Sequence, residues 1–421
     1  MKRAMSLAIL PLAAVLAACG ADDGPGVHFD GTGSDAVDAP DLWDAIDGAD
    51  PGVDPPVDPG VDHPPSACGE KSYIWIANSA EGTLSKLCTL DGVEMGRYVT
   101  SPQGASGDPS RTSVNLHGDM VVTNRDPSPG PSSVTKFAAE DYDCIDRNGI
   151  PGIQTSTGGD DVLPWGEDEC MIWNTPLPPG GGGMAMGCRA TAWQGDEDPD
   201  TGLGGHVWIG CMMNQKAYEI DGDTGEVLDP AGYNAGVGPY GGAMDGLGNF
   251  WMVAMGCTVG MCRLSQLNMT THAFTIHTVP CGYGISVDRL GRIWTAGMGG
   301  VNRLDPVSGT NTTYNTGLAQ FNRGIAVDDE GSVWAAVTDG SLIEVNETTV
   351  ELIGTAPLGA SDVVGVAIDF QGQVWAVAQG SNQAIKVNPD TYEVERFTIG
   401  SGPYTYSDMT GYQLTIVEIP F

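Results

Sequence analysis

The sequence predicts an all-β fold, a seven-bladed β-propeller, from three observations. The chain of 421 residues contains 61 glycines and 28 prolines, and so many turn-forming residues disfavour long helices. A motif of strand, tight turn and strand recurs along the chain, and tryptophans recur with it at intervals of 40 to 43 residues. Four short strands in each repeat of about forty residues is the pattern of a propeller blade.

The repeated motif predicts the hairpin that begins each blade. Its clearest copies are GISVDRLGRIW at 284–294, GIAVDDEGSVW at 324–334 and GVAIDFQGQVW at 365–375, with AMDGLGNFW at 243–251 as a shorter fourth. Each copy has alternating large and small apolar residues, an Asp-x-x-Gly turn and a second strand that carries tryptophan. The glycine allows the left-handed backbone of a short hairpin, and the tryptophan is expected to fill the space between neighbouring sheets.

The anchor positions of these hairpins number seven, which sets the predicted blade count. They are Trp75, Val121, Trp208, Trp251, Trp294, Trp334 and Trp375. A further turn at 408–411 has no complete blade after it, so we expect the C-terminal residues to supply the strands that complete the first blade. An eight-bladed ring is the alternative. The long interval between Val121 and Trp208 predicts an insertion at about 140–185.

The first eighteen residues are typical of a bacterial export signal. Lys2 and Arg3 precede a short apolar run that ends in LAACG at 16–20. The run is too short to span a membrane. The cysteine among small residues resembles a bacterial lipobox, so we predict a signal peptide at 1–18 and lipid attachment at Cys19. The expected location is the outer membrane or the cell surface.

Residues 19–66 predict a disordered acidic linker, and residues 67–421 form the predicted propeller. Twelve aspartates and no lysine, arginine or glutamate lie between residues 20 and 66. Charge repulsion and proline stiffness keep such a segment extended. The whole chain has 54 acidic and 18 basic residues, a net charge of −36, which excludes nucleic acid as a natural partner. The lipid is therefore the predicted contact with the membrane.

Ten cysteines, nine of them beyond the lipobox, predict disulfides in an oxidising compartment with one thiol left over. The repeat frame places Cys188 at the start of an inner strand and Cys211 at the end of the antiparallel neighbour. We therefore predict a bond between these two. Cys257 is predicted to pair with either Cys262 or Cys281.

The blades resemble those of virginiamycin B lyase (streptogramin lyase) and of NHL-type propellers. The resemblance rests on the G-[IV]-x-[VI]-D-x-x-G-x-[IV]-W copies and the turns downstream of them, and it covers roughly residues 70–420. For the lyase it implies a histidine base, a nearby acid and a magnesium ion at one face of the ring. The matching positions near the starts of the inner strands hold Tyr240, Tyr283, Arg323 and Val364. We therefore infer the fold of this chain from the resemblance, but assign no catalytic residue from it.

The residues that enter the inner strands are expected to line the mouth of the central channel. Within one residue of register they are Arg111, Arg189, Tyr240, Tyr283, Arg323 and Tyr404. Arginine offers a planar fork for a carboxylate or phosphate, and tyrosine adds a stacking surface and a hydroxyl. We predict a site for a small anionic or sugar-like ligand. The alternative is that these side chains satisfy carbonyls and aspartates at the end of the ring.

The predicted function is a cell-surface or periplasmic propeller that binds a ligand or a protein partner. The alternative is a streptogramin-lyase-like enzyme, or another propeller that cleaves a lactone or ester. Such an enzyme needs a histidine or carboxylate base near a metal in the channel. No cofactor is predicted, although calcium or magnesium binding stays open, and the acidic loop at 196–202 comes closest to a calcium loop.

Overall fold

The computed structural model describes residues 68–69, 71–125, 131–178, 187–255 and 260–417. The predicted signal peptide, Cys19 and the acidic linker lie outside them. The described chain consists almost entirely of β-strands in antiparallel sheets, which confirms the predicted all-β propeller fold. Within these residues, no helix has the length and apolar character needed to cross a membrane.

The first three sheets follow one another along the chain, and each is a meander of neighbouring antiparallel strands. The first contains β1 (Tyr73–Asn78), β2 (Thr83–Cys88) and β3 (Glu94–Val99); the second contains β4 (Pro109–Val114), β5 (Met120–Asn124), β6 (Ser133–Phe137) and β7 (Met171–Pro176); the third contains β8 (Cys188–Trp193), β9 (His206–Cys211), β10 (Lys216–Asp221) and β11 (Tyr233–Asn234).

The remaining sheets continue the pattern, with two consecutive repeats joined into one six-stranded sheet. They contain β12 (Pro239–Met244), β13 (Asn249–Ala254), β14 (Cys262–Asn268) and β15 (Phe274–Val279); then β16 (Gly284–Val287), β17 (Ile293–Asp305), β18 (Thr310–Val327), β19 (Ser332–Val337), β20 (Ser341–Asn346) and β21 (Leu352–Pro357); and last β22 (Val363–Ile368), β23 (Val374–Ala378), β24 (Gln383–Val387) and β25 (Val394–Thr398).

The aspartate and the tryptophan of the motif are joined by a hydrogen bond within each of the four hairpins that carry the motif. The indole Nε1 of Trp294 donates to Asp288 Oδ2 at 2.8 Å, and Trp375 donates to Asp369 Oδ2 at 2.8 Å. The turn glycine Gly291 has a φ of 71°, in the left-handed region that the hairpin requires. The six anchor tryptophans are completely buried, as predicted. The motif therefore specifies both the turn and the packing between sheets.

The C-terminal segment completes the first sheet. Tyr404 N donates to Ala77 O at 2.8 Å, Trp75 N donates to Met409 O at 2.9 Å, and Asn78 pairs with Pro403. These contacts place residues 403–409 along the free edge of β1, where the inner strand of this sheet belongs. The ends of the described chain are thereby joined in one sheet, as the turn at 408–411 predicts.

The turn at 408–411 leads into a helix and not into a second strand of a hairpin. The helix, α1 (Tyr412–Ile416), lies against the ends of several inner strands. Gln413 Oε1 accepts from Ser286 Oγ at 2.6 Å, and Gln413 Nε2 donates to Val287 O at 3.3 Å. Leu414 joins the same buried cluster as Val287. The helix forms because these contacts bury its side chains at the end of the channel.

The insertion predicted at about 140–185 lies between β6 and β7 and is shorter than expected. Its described part is held by a bond between Cys144 and Cys170. The residues that follow, Met171–Pro176, are the regular outer strand β7, which pairs with β6. The sequence overestimated the insertion because this outer strand lacks the motif of the inner hairpin.

Three disulfides lie within the described residues. They join Cys68 to Cys88, Cys144 to Cys170, and Cys188 to Cys211. The last pair is the one that the sequence register predicts, since the two cysteines are partners in the pairing of β8 with β9. Cys262 is also disulfide-bonded, whereas Cys281 is a buried free thiol. Pairing of Cys257 with Cys281 was therefore a wrong expectation; Cys257 itself lies outside the described residues.

Candidate ligand site in the central channel

Five of the inner strands have a β-bulge or register shift close to their first residues. The pairing of β8 with β9 skips Arg189, that of β12 with β13 skips Tyr240, and that of β22 with β23 skips Val364. Similar register shifts occur just before Arg111 in β4 and around Arg323 in β18. A bulge leaves one residue outside the ladder and redirects its side chain. The bulges therefore explain why the side chains of Arg189, Tyr240 and Val364 do not follow the regular alternation of side chains between the two faces of the sheet.

The six predicted positions come together in one buried group, which we call the arginine–tyrosine cluster. Its members are Arg111, Arg189, Tyr240, Tyr283, Arg323, Tyr404 and one further residue, Tyr406. No side chain of the cluster is more than 6% exposed. The structure brings these residues together inside the protein, whereas the sequence predicts them at the mouth of the central channel.

Tyr404 is the centre of the hydrogen bonds in the cluster. Its hydroxyl oxygen lies 2.5 Å from the hydroxyl of Tyr283, 3.0 Å from that of Tyr240 and 3.2 Å from that of Tyr406. The rings of Tyr240 and Tyr283 are 4.7 Å apart at their centroids, and those of Tyr283 and Tyr406 stack at 5.0 Å. Four phenols therefore meet at one oxygen atom.

The guanidinium groups lie on the faces of these rings. The Cζ atom of Arg111 is 3.0 Å from the ring centroid of Tyr406, and that of Arg189 is 4.2 Å from the ring centroid of Tyr240. Arg125, on the loop after β5, places its Cζ atom 4.6 Å from the ring of Tyr404. Stacking on aromatic faces is a favourable arrangement for arginine, but it does not replace hydrogen bonds in the guanidinium plane.

The arginines around Tyr404 differ in their acidic partners. Arg125 pairs with Asp108 at 2.6 Å, and Arg323 pairs with Asp362 at 3.1 Å. Arg111 is completely buried and donates one hydrogen bond, from Nη2 to the carbonyl of Tyr240 at 3.2 Å. Its Nε and Nη1 atoms have no hydrogen-bond partner among the described residues.

The tyrosines of the cluster have widely different pKa values. Burial acts to raise the pKa of Tyr404, but the charges of Arg189, Arg125 and Arg111 outweigh it, and the pKa falls to about 7. Burial raises the pKa of Tyr406 well above its ordinary value. The cluster therefore holds one phenol that ionises near neutral pH next to phenols that do not.

A small cavity lies farther along the channel, beneath helix α1. Its volume is about 50 Å³, room for a few water molecules at about 10–15 Å³ each. Asp408 lines it together with Ser113 and Thr191. Burial raises the pKa of Asp408 to about 6 although the N–H groups of Thr410 and Gly411 donate to its carboxylate.

Asp408 differs from the other turn aspartates because it has no indole donor. Trp75 occupies the corresponding anchor position, and its Nε1 atom has no hydrogen-bond partner among the described residues. The hairpin that joins aspartate to tryptophan elsewhere is here made from the two ends of the propeller. The closing sheet therefore lacks a bond that the four motif hairpins have, and this leaves a partly buried carboxylate that is costly to ionise.

We expect Asp408→Asn to stabilise the protein at pH 8 but not at pH 4. The folded-state pKa is raised above the ordinary value of 3.8, so the stability of the wild type is full below pH 4 and falls as pH rises through about 6. The difference between the ordinary pKa of 3.8 and a pKa of about 6 corresponds to a loss of roughly 3 kcal/mol in the free energy of unfolding of the wild type at pH 8. Urea unfolding at both pH values measures the difference. Asp390→Asn, at an exposed turn, is the control; an equal effect of Asp408→Asn at both pH values would refute the assignment.

The histidines of the described residues have partners away from the cluster. His117 Nε2 lies 3.0 Å from Asp143 Oδ2, and His206 Nδ1 lies 2.7 Å from Asp196 Oδ2. His272 stacks on a tyrosine ring at 3.7 Å, and His277 contacts a glutamine. The described part of the chain therefore places no histidine base beside the channel tyrosines, where a lyase-like mechanism would need one.

Two groups of described side chains have the spacing of metal ligands, but one of them, Asp141 with Cys144 and Cys170, contains a disulfide-bonded pair and so offers no thiolate. His117, Asp119 and Asp143 bring one ligand atom each to within 4.8 Å of the others. Asp119 already accepts from Lys136 Nζ at 3.2 Å, and a cation so close to the carboxylate opposes a second one.

In the acidic loop at 196–202, Asp198 accepts from the N–H groups of Asp200 and Thr201. The Asp198 carboxylate thus stabilises the turn of this loop.

Comparisons with known proteins identify the architecture. No family model matches the chain, and no curated protein matches its sequence. Among solved structures, the dihydro-heme d1 dehydrogenase NirN aligns with a TM-score of 0.50 and 10% identity, over 85% of this chain and 78% of that one. The chain is a β-propeller.

Two further solved propeller structures match with lower scores. Virginiamycin B lyase from Staphylococcus aureus aligns with a TM-score of 0.47 and 14% identity, over 71% of this chain and 88% of that one. AztD from Citrobacter koseri aligns with a TM-score of 0.45 and 12% identity, over 79% of this chain and 96% of that one. The lyase resemblance carried by the blade motifs is thus a likeness of fold, and no activity follows from it.

Sequence reasoning missed three side chains of the site. Tyr406 lies two residues beyond the predicted position in the closing strand, Arg125 follows β5, and Phe321 contacts the ring of Tyr283 at 4.8 Å. Tyr406 could have been found from the alternation of the inner strand, because residues two apart lie on the same face. Arg125 carries no such signal, since it follows a strand that is one layer farther out.

Proposed function

We propose that the protein is an exported, lipid-anchored propeller that binds a small anionic ligand through its arginine–tyrosine cluster. The ligand carries a carboxylate, sulfate or phosphate group, and the tyrosine rings suit a sugar-like body attached to it. The finding that supports this most strongly is the buried guanidinium of Arg111. It has N–H groups without acceptors in a protein with three times as many acidic as basic residues.

The energetic cost of this arrangement favours a ligand. Buried N–H groups that lack acceptors destabilise a fold by about 1–3 kcal/mol each, and by more where the group is charged. An arginine kept only for the stability of the fold would be expected to have acceptors for these buried N–H groups. An anion that accepts hydrogen bonds from Nε and Nη1 of Arg111 would instead remove the unfavourable term, and each such charge-assisted bond contributes about 1.5–3 kcal/mol.

Titration calorimetry of the purified protein with inorganic sulfate and with glucuronate tests the proposal. We expect both to bind, and Arg111→Met to weaken binding by about 10- to 100-fold, since one charged hydrogen-bonding group is lost. We expect Arg323→Ala to have a smaller effect, because Arg323 is already paired with Asp362. Methionine keeps the apolar stem against the ring of Tyr406.

The matched control is Arg263→Met, at an exposed position of β14, which should bind as the wild type does. The melting temperature without ligand is a second readout: Arg111→Met should equal or exceed the wild type. A marked destabilisation by Arg111→Met, with unchanged anion binding, would show that the arginine is structural. No binding of either anion to the wild type would contradict the proposal as a whole.

The export and tethering part of the proposal rests on the sequence and is supported by the disulfides, which form in oxidising compartments. A lipid on Cys19 would place the propeller at the membrane in spite of the charge of −36. Metabolic labelling with a fatty acid should mark the wild type and leave Cys19→Ser unlabelled. Labelling of both would show that the lipid is attached elsewhere.

A further inference from the structure

The hydroxyl oxygen of Tyr404 is the atom at which the hydrogen bonds of the arginine–tyrosine cluster meet. We infer that Tyr404 ionises in the ligand-free protein close to neutral pH, as the internal counter-ion of the arginines, and that an anion entering the cluster then binds together with one proton. The second half of this inference rests on the proposed function, because it needs an anion in the cluster. The first half concerns the protein alone.

The hydrogen bonds around Tyr404 fit a phenolate. A neutral phenol donates one hydrogen bond and accepts at most two, whereas a phenolate only accepts. Three hydroxyls approach the oxygen, and the shortest distance, 2.5 Å to Tyr283, is typical of a hydroxyl that donates to a charged oxygen. The hydroxyls of Tyr240 and Tyr406 complete the set at 3.0 Å and 3.2 Å.

The surrounding charges favour the same state. Arg125 and Arg189 place their Cζ atoms 4.6 Å and 6.0 Å from the ring of Tyr404. Arg111 lies against the neighbouring rings of Tyr406 and Tyr240, at 3.0 Å and 4.9 Å. In a buried site these positive charges stabilise a nearby negative charge far more than they would in water.

The acidic groups near the cluster are engaged with other cations. Asp108 is paired with Arg125, and Asp362 is paired with Arg323. Among the described residues no carboxylate is ion-paired with Arg111. The phenolate is thus an anion of the fold itself that lies close to the buried guanidinium. This agrees with the lowering of the pKa of Tyr404 to about 7, against the effect of its own burial.

An incoming anion would compete with the phenolate for the same positive charges. Its negative charge would raise the pKa of Tyr404, so the phenolate would take up a proton from solvent and become a neutral phenol. Above the pKa in the free protein, each bound anion then consumes one proton. Affinity is expected to fall about tenfold for each pH unit above about 7 and to be constant well below it.

Near-ultraviolet absorbance tests the ionisation without any ligand. We expect the tyrosinate band of the wild type to show one tyrosine that titrates near neutral pH, and Tyr404→Phe to lack this step. Tyr142→Phe is the matched control and should retain it, because Tyr142 is exposed and lies outside the cluster. If Tyr404→Phe does not fold, Arg189→Met serves instead and should move the titration to higher pH.

Calorimetry with inorganic sulfate, which does not titrate in this range, tests the coupling. At pH 8 the heat of binding to the wild type should depend on the ionisation enthalpy of the buffer as for uptake of about one proton. The heat for Tyr404→Phe should not depend on the buffer. Sulfate binding without proton uptake and without a tyrosinate band near neutral pH would overturn the inference and leave the proposed function standing. A tyrosinate band without any sulfate binding would support the ionisation of Tyr404 but overturn both the proposed function and the coupling of anion binding to proton uptake.

Discussion

A chain that ends after Gly402 is expected to fail to fold into a stable propeller. This truncation removes residues 403–409, which supply the inner strand of the first sheet through the bonds from Tyr404 N to Ala77 O and from Trp75 N to Met409 O. It also exposes the edge of β1 along its whole length. Circular dichroism and urea unfolding of the purified truncation measure the loss.

The expected size of this effect follows from what the strand buries. Tyr404, Tyr406 and Met409 are 3%, 2% and 0% exposed. Burying each such side chain contributes about 1.5–3 kcal/mol, so their joint loss removes about 5–9 kcal/mol. That is comparable with the whole stability of a typical protein, about 5–15 kcal/mol. The loss of the backbone hydrogen bonds adds to it.

Two longer chains serve as controls for the truncation. A chain that ends after Val417 keeps every described contact and should be as stable as the full chain. A chain that ends after Gly411 keeps the closing strand and loses only helix α1, so it separates ring closure from capping of the channel. A cooperative, near-wild-type unfolding transition for the chain ending after Gly402 would show that closure by residues 403–409 is not needed.

Trp334→Ala is expected to destabilise the protein by about 3–5 kcal/mol, the range for a buried tryptophan replaced by alanine. Trp334 is completely buried and lies edge-on to Tyr392, with ring centroids 6.0 Å apart. Its Nε1 atom donates to Asp328 Oδ2 at 3.0 Å. Burial already raises the pKa of Asp328, and removal of the indole leaves this carboxylate with fewer donors.

The variant Trp334→Phe separates the contribution of apolar packing from that of the hydrogen bond to Asp328. Phenylalanine keeps most of the apolar packing and lacks the N–H group, so its effect should be smaller than that of alanine and should include the loss of the hydrogen bond to Asp328. Urea unfolding measures both variants against the wild type. A loss below about 1 kcal/mol for Trp334→Ala would contradict the role of the tryptophans as packing anchors between the sheets.

The fold could be predicted because the same sequence motif recurs in several repeats. The Asp-x-x-Gly turn and its tryptophan give the same hairpin several times, and the Asp288–Trp294 and Asp369–Trp375 bonds show the physical reason. The register of one such hairpin was enough to pair Cys188 with Cys211. Helix α1 could not be predicted, because five residues that fold only by docking onto distant strands have no periodic signal of their own.

The candidate site was predictable in position but not in detail. Alignment of the repeats brought together residues that are far apart in the chain, such as Arg111 and Tyr404. It could not show that β-bulges redirect these side chains, because a bulge depends on pairing between strands and not on one strand's sequence. Nor could it show that Tyr404 is surrounded by hydroxyls and guanidinium groups, since Arg125 and Tyr406 lie outside the aligned positions.

The most direct test of anion binding in the arginine–tyrosine cluster is a crystal structure of the protein grown with selenate. Selenium scatters X-rays anomalously, so the anomalous differences locate it directly. We expect a selenium site within hydrogen-bond distance of Arg111 Nε and Nη1, and its absence from crystals of Arg111→Met. Selenate found only at surface lysines and arginines, with the cluster packed as it is in the free protein, would contradict the account.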